Sequence, residues 1–140
     1  MPDKVFIDSN IFVYAIDGSE PEKMNAARAL LTSHPPVSSS VISFQVMQEV
    51  INVYFKQMKR DQNFNLFRLF VEKELKSRWK INPTFALYDK AIELKQQFKY
   101  SFYDSLIISA AIIGECKTLY SEDLQGGQKI ESIEIINPFA

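Results

Sequence analysis

Short apolar runs alternate with longer helical segments along the whole of this chain. The strand-like runs cover residues 4–7, 37–40, 78–81, 117–120 and 133–136. The helical segments cover residues 20–34, 43–58, 61–77, 84–98 and 103–113. Because strands and helices follow each other in turn, the pattern predicts an α/β fold with a mostly parallel sheet covered by helices on both faces.

Turn and capping residues mark several of the predicted boundaries. Pro35 and Pro36 stop the helix over residues 20–34, because proline cannot continue a helix. Ser43 and Thr84 stand where an N-cap is needed for the helices that follow them. The run 103–113 is apolar almost all round, which predicts a buried helix.

The size and composition of the chain fit one globular domain over residues 1–140. Of its residues, 46% are hydrophobic and 24% are charged, as in ordinary soluble proteins. The single cysteine, Cys116, cannot form an internal disulfide, which fits a reducing compartment. The N-terminus lacks a secretory pattern, and the apolar run at 106–113 is far shorter than the roughly 20 residues needed to span a bilayer. We therefore expect a soluble cytoplasmic protein with no membrane partner.

The charge of the chain is nearly balanced but unevenly distributed. The net charge is −1 and the sequence pI is about 5.9, which argues against a protein that coats nucleic acid. Residues 56–80 nevertheless contain eight basic and three acidic side chains. A solvated helical face and a binding patch are both consistent with this basic stretch.

Three carboxylates are predicted at the sheet edge where parallel strands end. Asp8 ends the first strand, Asp123 follows the strand over 117–120, and Asp104 opens the helix over 103–113. Ligands of open parallel sheets bind at this edge. Carboxylates held close together raise each other's pKa unless a cation neutralises them. Oxygen ligands alone favour Mg²⁺ or Mn²⁺, and such sites suit phosphodiester hydrolysis.

Each acid also has a purely structural interpretation. Asp8 fits a turn residue, Asp104 fits a helix N-cap, and Asp123 fits a loop acid like its neighbour Glu122. Glu49 lies on a polar helix face that borders either solvent or a polar cleft. That face contains Gln45, Gln48, Glu49, Asn52 and Lys56, opposite an apolar stripe of Phe44, Met47, Ile51, Tyr54 and Phe55.

Other site chemistries find little support in the sequence. The chain has four glycines and contains no phosphate-binding loop, nucleophile elbow or dinucleotide fingerprint. His34 fits a helix end and Cys116 fits the core, so neither belongs to a zinc site. Phosphatases of the haloacid dehalogenase type need a second Asp two residues after the first, but Asn10 stands there.

Four segments of the chain resemble the motifs of PIN domains, in the order of that family. They are VFIDSNIFVYA (5–15), EVINV (49–53), FYDSLIISAA (102–111) and YSEDLQGGQ (120–128), the last followed by IINPF (135–139). Tyr103 stands where the family commonly has tryptophan. Asp123 is preferred over Glu122 because the spacing Ser121-x-Asp123 matches the family pattern.

This resemblance implies a three-layer α/β/α sandwich and an endoribonuclease that depends on one or two Mg²⁺ or Mn²⁺ ions. The metal-binding and catalytic residues that it implies are Asp8, Glu49, Asp104 and Asp123, supported by Asn10 and Ser121. The layout most resembles VapC-type toxins of bacterial toxin–antitoxin pairs, which implies a homodimer and an antitoxin partner. A PIN nuclease of RNA processing and a non-catalytic PIN-fold module that binds RNA or protein remain alternatives. Phe64, Phe67 and Phe70 fit the core, a dimer surface or an antitoxin dock.

Overall fold

A computed structural model describes residues 3–37, 39–57 and 63–140. Within these residues the strands are β1 (Val5–Ile7), β2 (Ser40–Ser43), β3 (Trp79–Ile81), β4 (Thr118–Tyr120), β5 (Lys129–Ile130) and β6 (Ile133–Ile136). The α-helices are α1 (Ser9–Ile16), α2 (Pro21–Ser33), α3 (Phe44–Gln57), α4 (Phe64–Phe70), α5 (Phe85–Gln97) and α6 (Phe102–Ile113). None of the helices in these ranges is both long and apolar enough to cross a bilayer.

The strands form one sheet in the order β3-β2-β1-β4-β6-β5. All neighbouring pairs are parallel except β5 and β6, which are antiparallel. Val5, Phe6 and Ile7 of the central strand β1 are all buried, so both faces of the sheet are covered. Helix α1 packs against α2 and α3, while α5 packs against α6. The predicted α/β fold with a mostly parallel sheet is confirmed.

Several predicted helix boundaries are confirmed to within a residue or two. Helix α2 ends at Ser33, directly before His34 and the two prolines. Thr84 caps α5, since its Oγ1 accepts a hydrogen bond from the Leu87 N–H at 3.1 Å. Seven consecutive residues of α6, from Ser105 to Ala111, are buried, as its apolar composition predicts.

Helix α1 is missing from the sequence prediction. Its residues include the β-branched Ile11, Val13 and Ile16 and the aromatic Phe12 and Tyr14, which favour strands in isolation. The N-cap formed by the preceding Asp8 and the packing of α1 against α2 and α3 outweigh that preference. The short antiparallel strand β5 was not predicted either.

The strand predicted at 37–40 is displaced by three residues and is formed by Ser40–Ser43. The Ser39 N–H and the Ser40 Oγ bind the carbonyls of Pro35 and His34, at 3.3 and 2.8 Å. The residues after α2 therefore form a turn, with Val37 91% exposed. Ser43 ends β2, and its buried Oγ has no hydrogen-bond partner among the described residues. The predicted cap of α3 by the Ser43 side chain is therefore wrong.

The helix predicted at 61–77 is shorter and irregular. Asn63 caps α4, and a π-helical turn (Val71–Leu75) and a 3₁₀ turn (Lys76–Arg78) follow it. Residues 58–62, which include the predicted boundaries of this helix and of α3, lie outside the described residues. Phe67 is in the core but Phe64 is 53% exposed, so of the interpretations of these phenylalanines the core fits Phe67 and does not fit Phe64.

The basic stretch 56–80 is not one continuous charged surface. Arg78 is only 1% exposed, and its guanidinium donates to the Leu31 and His34 carbonyls at 3.0 and 2.9 Å. It also forms a 2.7 Å ion pair with Glu74. Arg78 therefore ties the end of α2 to the start of β3 and contributes nothing to a binding patch.

Candidate functional site

The carboxylate of Asp8 lies directly after β1, at the carboxyl edge of the sheet. It is 6% exposed. Its Oδ1 accepts from the Ser9 N–H at 2.7 Å, which makes Asp8 the N-cap of α1. Its Oδ2 accepts from the Ser121 Oγ–H at 2.8 Å. Parallel pairing explains this contact, because the Asp8 N–H binds the Tyr120 carbonyl at 3.0 Å and Ser121 comes next in the chain.

Asp123 is held beside the start of α1 by the loop that follows β4. The Asn10 Nδ2 donates to its Oδ2 at 3.0 Å. Its backbone N–H donates to the Ser121 Oγ at 3.3 Å, and the Glu122 N–H donates to the Asn10 Oδ1 at 3.4 Å. Ser121 and Asn10 therefore connect the two predicted acids Asp8 and Asp123.

The neighbouring Glu122 is engaged by a different group of side chains. It accepts hydrogen bonds from the Tyr14 hydroxyl at 2.6 Å and from the Lys23 Nζ at 2.5 Å. Burial raises the pKa of Glu122, but these hydrogen bonds outweigh it and hold the pKa below its ordinary value. Phe139 packs edge-on against Tyr14. Glu122 thus forms an ion pair with Lys23 and helps to hold the loop that carries Asp123.

Glu49 lies on the predicted polar face of α3, and part of that face is buried. The buried residues of this helix are Gln45, Val46, Val50 and Tyr54, whereas Phe55 is 51% exposed. Gln45, predicted on the polar face, is 5% exposed. Its Nε2 donates to the Tyr103 carbonyl at 3.1 Å and to the Glu49 Oε2 at 3.4 Å. This part of the polar face therefore borders the interior next to α6 rather than open solvent.

Asp104 lies in the first turn of α6 and is not its N-cap. That role belongs to Ser101, whose Oγ accepts from the Asp104 N–H at 3.1 Å. The interpretation of Asp104 as a helix cap is therefore wrong.

The electrostatics link all four acids. Burial, followed by repulsion from Glu49 and Asp123, raises the pKa of Asp8 to about 6, against hydrogen bonds from Ser121 and Ser9 that lower it. Burial also raises the pKa of Glu49, with further repulsion from Asp104 and Asp123. Hydrogen bonds from Gln45 and Ser9 oppose that rise. Repulsion thus couples Asp8 to Glu49 and Asp123, and couples Glu49 to Asp104 and Asp123.

The chemistry of these side chains fits a hard divalent cation, although the site is not closed around one. Every candidate ligand atom is a carboxylate oxygen, as Mg²⁺ and Mn²⁺ prefer. The repulsion among the acids is of the kind that a cation relieves. In the described ranges, however, no three Asp, Glu, His or Cys side chains are grouped closely enough to hold a metal ion. Binding one ion through three of these acids would therefore require the carboxylates to move closer together.

Gln45 was missed as a candidate site residue. The available signal is its spacing, four residues before Glu49, which places both side chains on one side of the helix. Helical spacing alone does not distinguish a solvent face from a cleft, so the burial of Gln45 needed the structure. The contact between Gln45 and the Tyr103 carbonyl joins the helix that carries Glu49 to the predicted motif that contains Asp104.

We expect the substitution Asp8→Asn to stabilise the metal-free protein at neutral pH. In the folded chain the pKa of Asp8 is about 6, against an ordinary value of 3.8. The folded state therefore binds the proton more tightly, and stability falls as the pH rises from about 4 to above 6. A two-unit pKa shift corresponds to a loss of about 2–3 kcal/mol in the free energy of unfolding as Asp8 ionises. The variant should avoid most of this loss, because its side chain carries no charge and asparagine also serves as an N-cap.

Urea unfolding at pH 4.5 and 7.5 without divalent ions would measure this effect. The matched control is Asp89→Asn, at an exposed position on α5, which should keep the pH dependence of the unaltered protein. If Asp8→Asn were much less stable than the unaltered protein at pH 7.5, Asp8 would be a structural residue rather than a strained site carboxylate.

Comparison with known proteins gives the same fold. A toxin–antitoxin complex from Klebsiella pneumoniae matches with a TM-score of 0.71 at 18% identity, covering 96% of this chain and 98% of that chain. VapC20 from Mycobacterium tuberculosis, a toxin that cleaves the sarcin-ricin loop, matches with a TM-score of 0.64 at 18% identity, covering 86% and 90%. VapBC2 from Rickettsia felis, bound to a promoter DNA fragment, matches with a TM-score of 0.64 at 23% identity, covering 94% and 96%.

The sequence itself carries the family assignment. No curated protein matches it, and the structural matches at these identities show the fold alone. The family model described as PIN domain, however, matches residues 5–125. That range includes Asp8, Glu49, Asp104 and Asp123. The chain therefore belongs to the PIN domain family.

Proposed function

We propose that this chain is an endoribonuclease that hydrolyses RNA phosphodiester bonds with the help of Mg²⁺ or Mn²⁺. The observation that carries the proposal is the connection of Asp8 to Asp123 through Ser121 and Asn10, at the carboxyl edge of a parallel sheet in a PIN-domain chain. Repulsion between Glu49 and both Asp104 and Asp123 adds the other two acids to this cluster. Such a cluster is costly for the fold because it keeps like charges together. Its cost is explained if the acids bind cations during the reaction.

The side chains around the acids would orient them for this work. Ser121 and the Ser9 N–H each hold one oxygen of Asp8, and the Asn10 amide holds one oxygen of Asp123. Each fixed carboxylate keeps a lone pair that can bind a cation. Asn10 and Ser121 would therefore support the site through hydrogen bonds rather than by direct ligation.

The four acids would hold one or two divalent ions. When bound, such ions stabilise the negative charge that develops on the scissile phosphate and activate water for attack. A pKa of about 6 would leave the carboxylate of Asp8 mostly ionised near neutral pH. Asp8 would therefore be able to bind a cation at that pH.

We further propose that the nuclease is the toxin of a toxin–antitoxin pair, acting in the cytoplasm as a homodimer with a cognate antitoxin. The support is the fold similarity to the Klebsiella pneumoniae and Rickettsia felis complexes and to the RNA-cleaving toxin of Mycobacterium tuberculosis. RNA processing outside such a pair would use the same site. A small antitoxin reading frame directly upstream would favour the toxin over the processing enzyme.

Incubation with total bacterial RNA would test the nuclease directly. With Mg²⁺ or Mn²⁺ we expect discrete cleavage products on a sequencing gel. EDTA and the variant Asp104→Asn should each abolish them, because Asp104 belongs to the proposed cation site while its side chain caps no helix. Cleavage that persists in both controls would point to a contaminating nuclease, and intact RNA under every condition would favour a binding module.

Two adjacent acids provide a matched pair of variants. Asp123→Asn should abolish cleavage, because it removes a carboxylate of the cluster. Glu122→Gln should retain cleavage, because this side chain is engaged by Tyr14 and Lys23 and the single oxygen of Gln can still accept from one of these donors. Rates measured on one labelled RNA, with melting temperatures for both variants, would decide. The reverse order of activities would assign the site role to Glu122.

A further inference from the structure

The amide of Gln45 bridges the two helices that carry Glu49 and Asp104. The side chain is 5% exposed. Its Nε2 donates to the Tyr103 carbonyl at 3.1 Å and to the Glu49 Oε2 at 3.4 Å. Tyr103 directly precedes Asp104 in α6. The same amide group is therefore bonded to one acid of the cluster and to the backbone beside another.

The chemistry of the amide suits a bridge of this kind. A glutamine NH₂ has two hydrogens, so one Nε2 can serve both acceptors at once. A hydrogen bond to an ionised carboxylate is stronger than one between neutral groups. The contact with Glu49 is the longer of the two.

A packing role alone does not explain a glutamine at this position. Burying an amide costs free energy unless its polar atoms are bonded, and the buried neighbours Val46 and Val50 on the same helix are apolar. Only one half of the Gln45 amide is satisfied, since its buried Oε1 has no hydrogen-bond partner in the ranges that the structure describes. The same holds for the buried Oγ of Ser105, the residue after Asp104.

We propose that Gln45 is a positioning residue of the acidic site, which sets the place of the Glu49 carboxylate relative to Asp104 for binding of a divalent cation. The inference rests on the proposed function in needing a cation at these acids, but it does not depend on the RNA substrate. Gln45 acts through Glu49 and through the Tyr103 carbonyl and would not itself be a ligand.

Mn²⁺ binding to the full chain, measured by electron paramagnetic resonance, would test this role. Gln45→Met keeps an unbranched side chain of similar length but removes both hydrogen bonds. We expect it to weaken Mn²⁺ binding by about 10- to 100-fold, the usual cost of losing a partner that orients a metal ligand. Gln48→Met, the same change at an exposed position of α3, should bind Mn²⁺ as the unaltered chain does.

The outcomes separate this inference from the proposed function. Equal Mn²⁺ affinity of Gln45→Met and the unaltered chain would overturn the role of Gln45 while leaving the cation site intact. Absence of Mn²⁺ binding to the unaltered chain would overturn both.

Nuclear magnetic resonance on the unaltered chain keeps the test valid if Gln45→Met does not fold. The side-chain NH₂ signals of Gln45 should shift when Mg²⁺ is added, because Glu49 accepts from that group. The shift should be lost in Glu49→Gln. If the side-chain NH₂ signals of Gln45 in the unaltered chain did not shift when Mg²⁺ is added, the proposal would be contradicted.

Discussion

The parallel pairing of β1 with β4 fixes Asp8 relative to the loop that carries Asp123. The Asp8 N–H binds the Tyr120 carbonyl, so Ser121 falls beside the Asp8 carboxylate and donates to it. Asn10, on the first turn of α1, then reaches Asp123. A slip of one residue in this register would turn the side chains of β4 to the opposite face of the sheet. The register of β1 and β4 thus fixes the position of Asp8 relative to Asp123, although the two residues are far apart in sequence.

The buried carboxylates of Asp8 and Glu49 oppose folding when they are ionised, and the surrounding residues limit that cost. Burial raises the pKa of Asp8 to about 6, which means that ionising it at neutral pH opposes folding. The Ser9 N–H and Ser121 offset part of this effect with hydrogen bonds. Glu122 does not add to the repulsion, because Lys23 pairs with it at 2.5 Å. This combination of strain and local support is typical of functional sites.

The sequence predicted the sheet and the acids at its edge better than it predicted the helix faces. Asp8 and Asp123 follow short apolar strands, whose parallel order brings their ends together. Helix α1 was missed because Ile11, Phe12 and Val13 favour strands locally, while tertiary packing decides. Gln45 was placed on a polar face that bordered either solvent or a cleft, because helical periodicity gives the spacing of residues but not which neighbour covers them. Its partner, the Tyr103 carbonyl, is 58 residues away and carries no sequence signal.

Calorimetric titration with Mn²⁺ at pH 6, in buffers of different ionisation enthalpy, would show whether the acids of the site bind a divalent cation. If the acids bind the cation, Asp8 must release its proton, because metal ligands bind deprotonated and the pKa of Asp8 is about 6. We expect saturable binding of Mn²⁺ whose heat depends on the ionisation enthalpy of the buffer. This dependence should be smaller at pH 8. Absence of binding, or binding without any release of protons at pH 6, would contradict the proposed cation site.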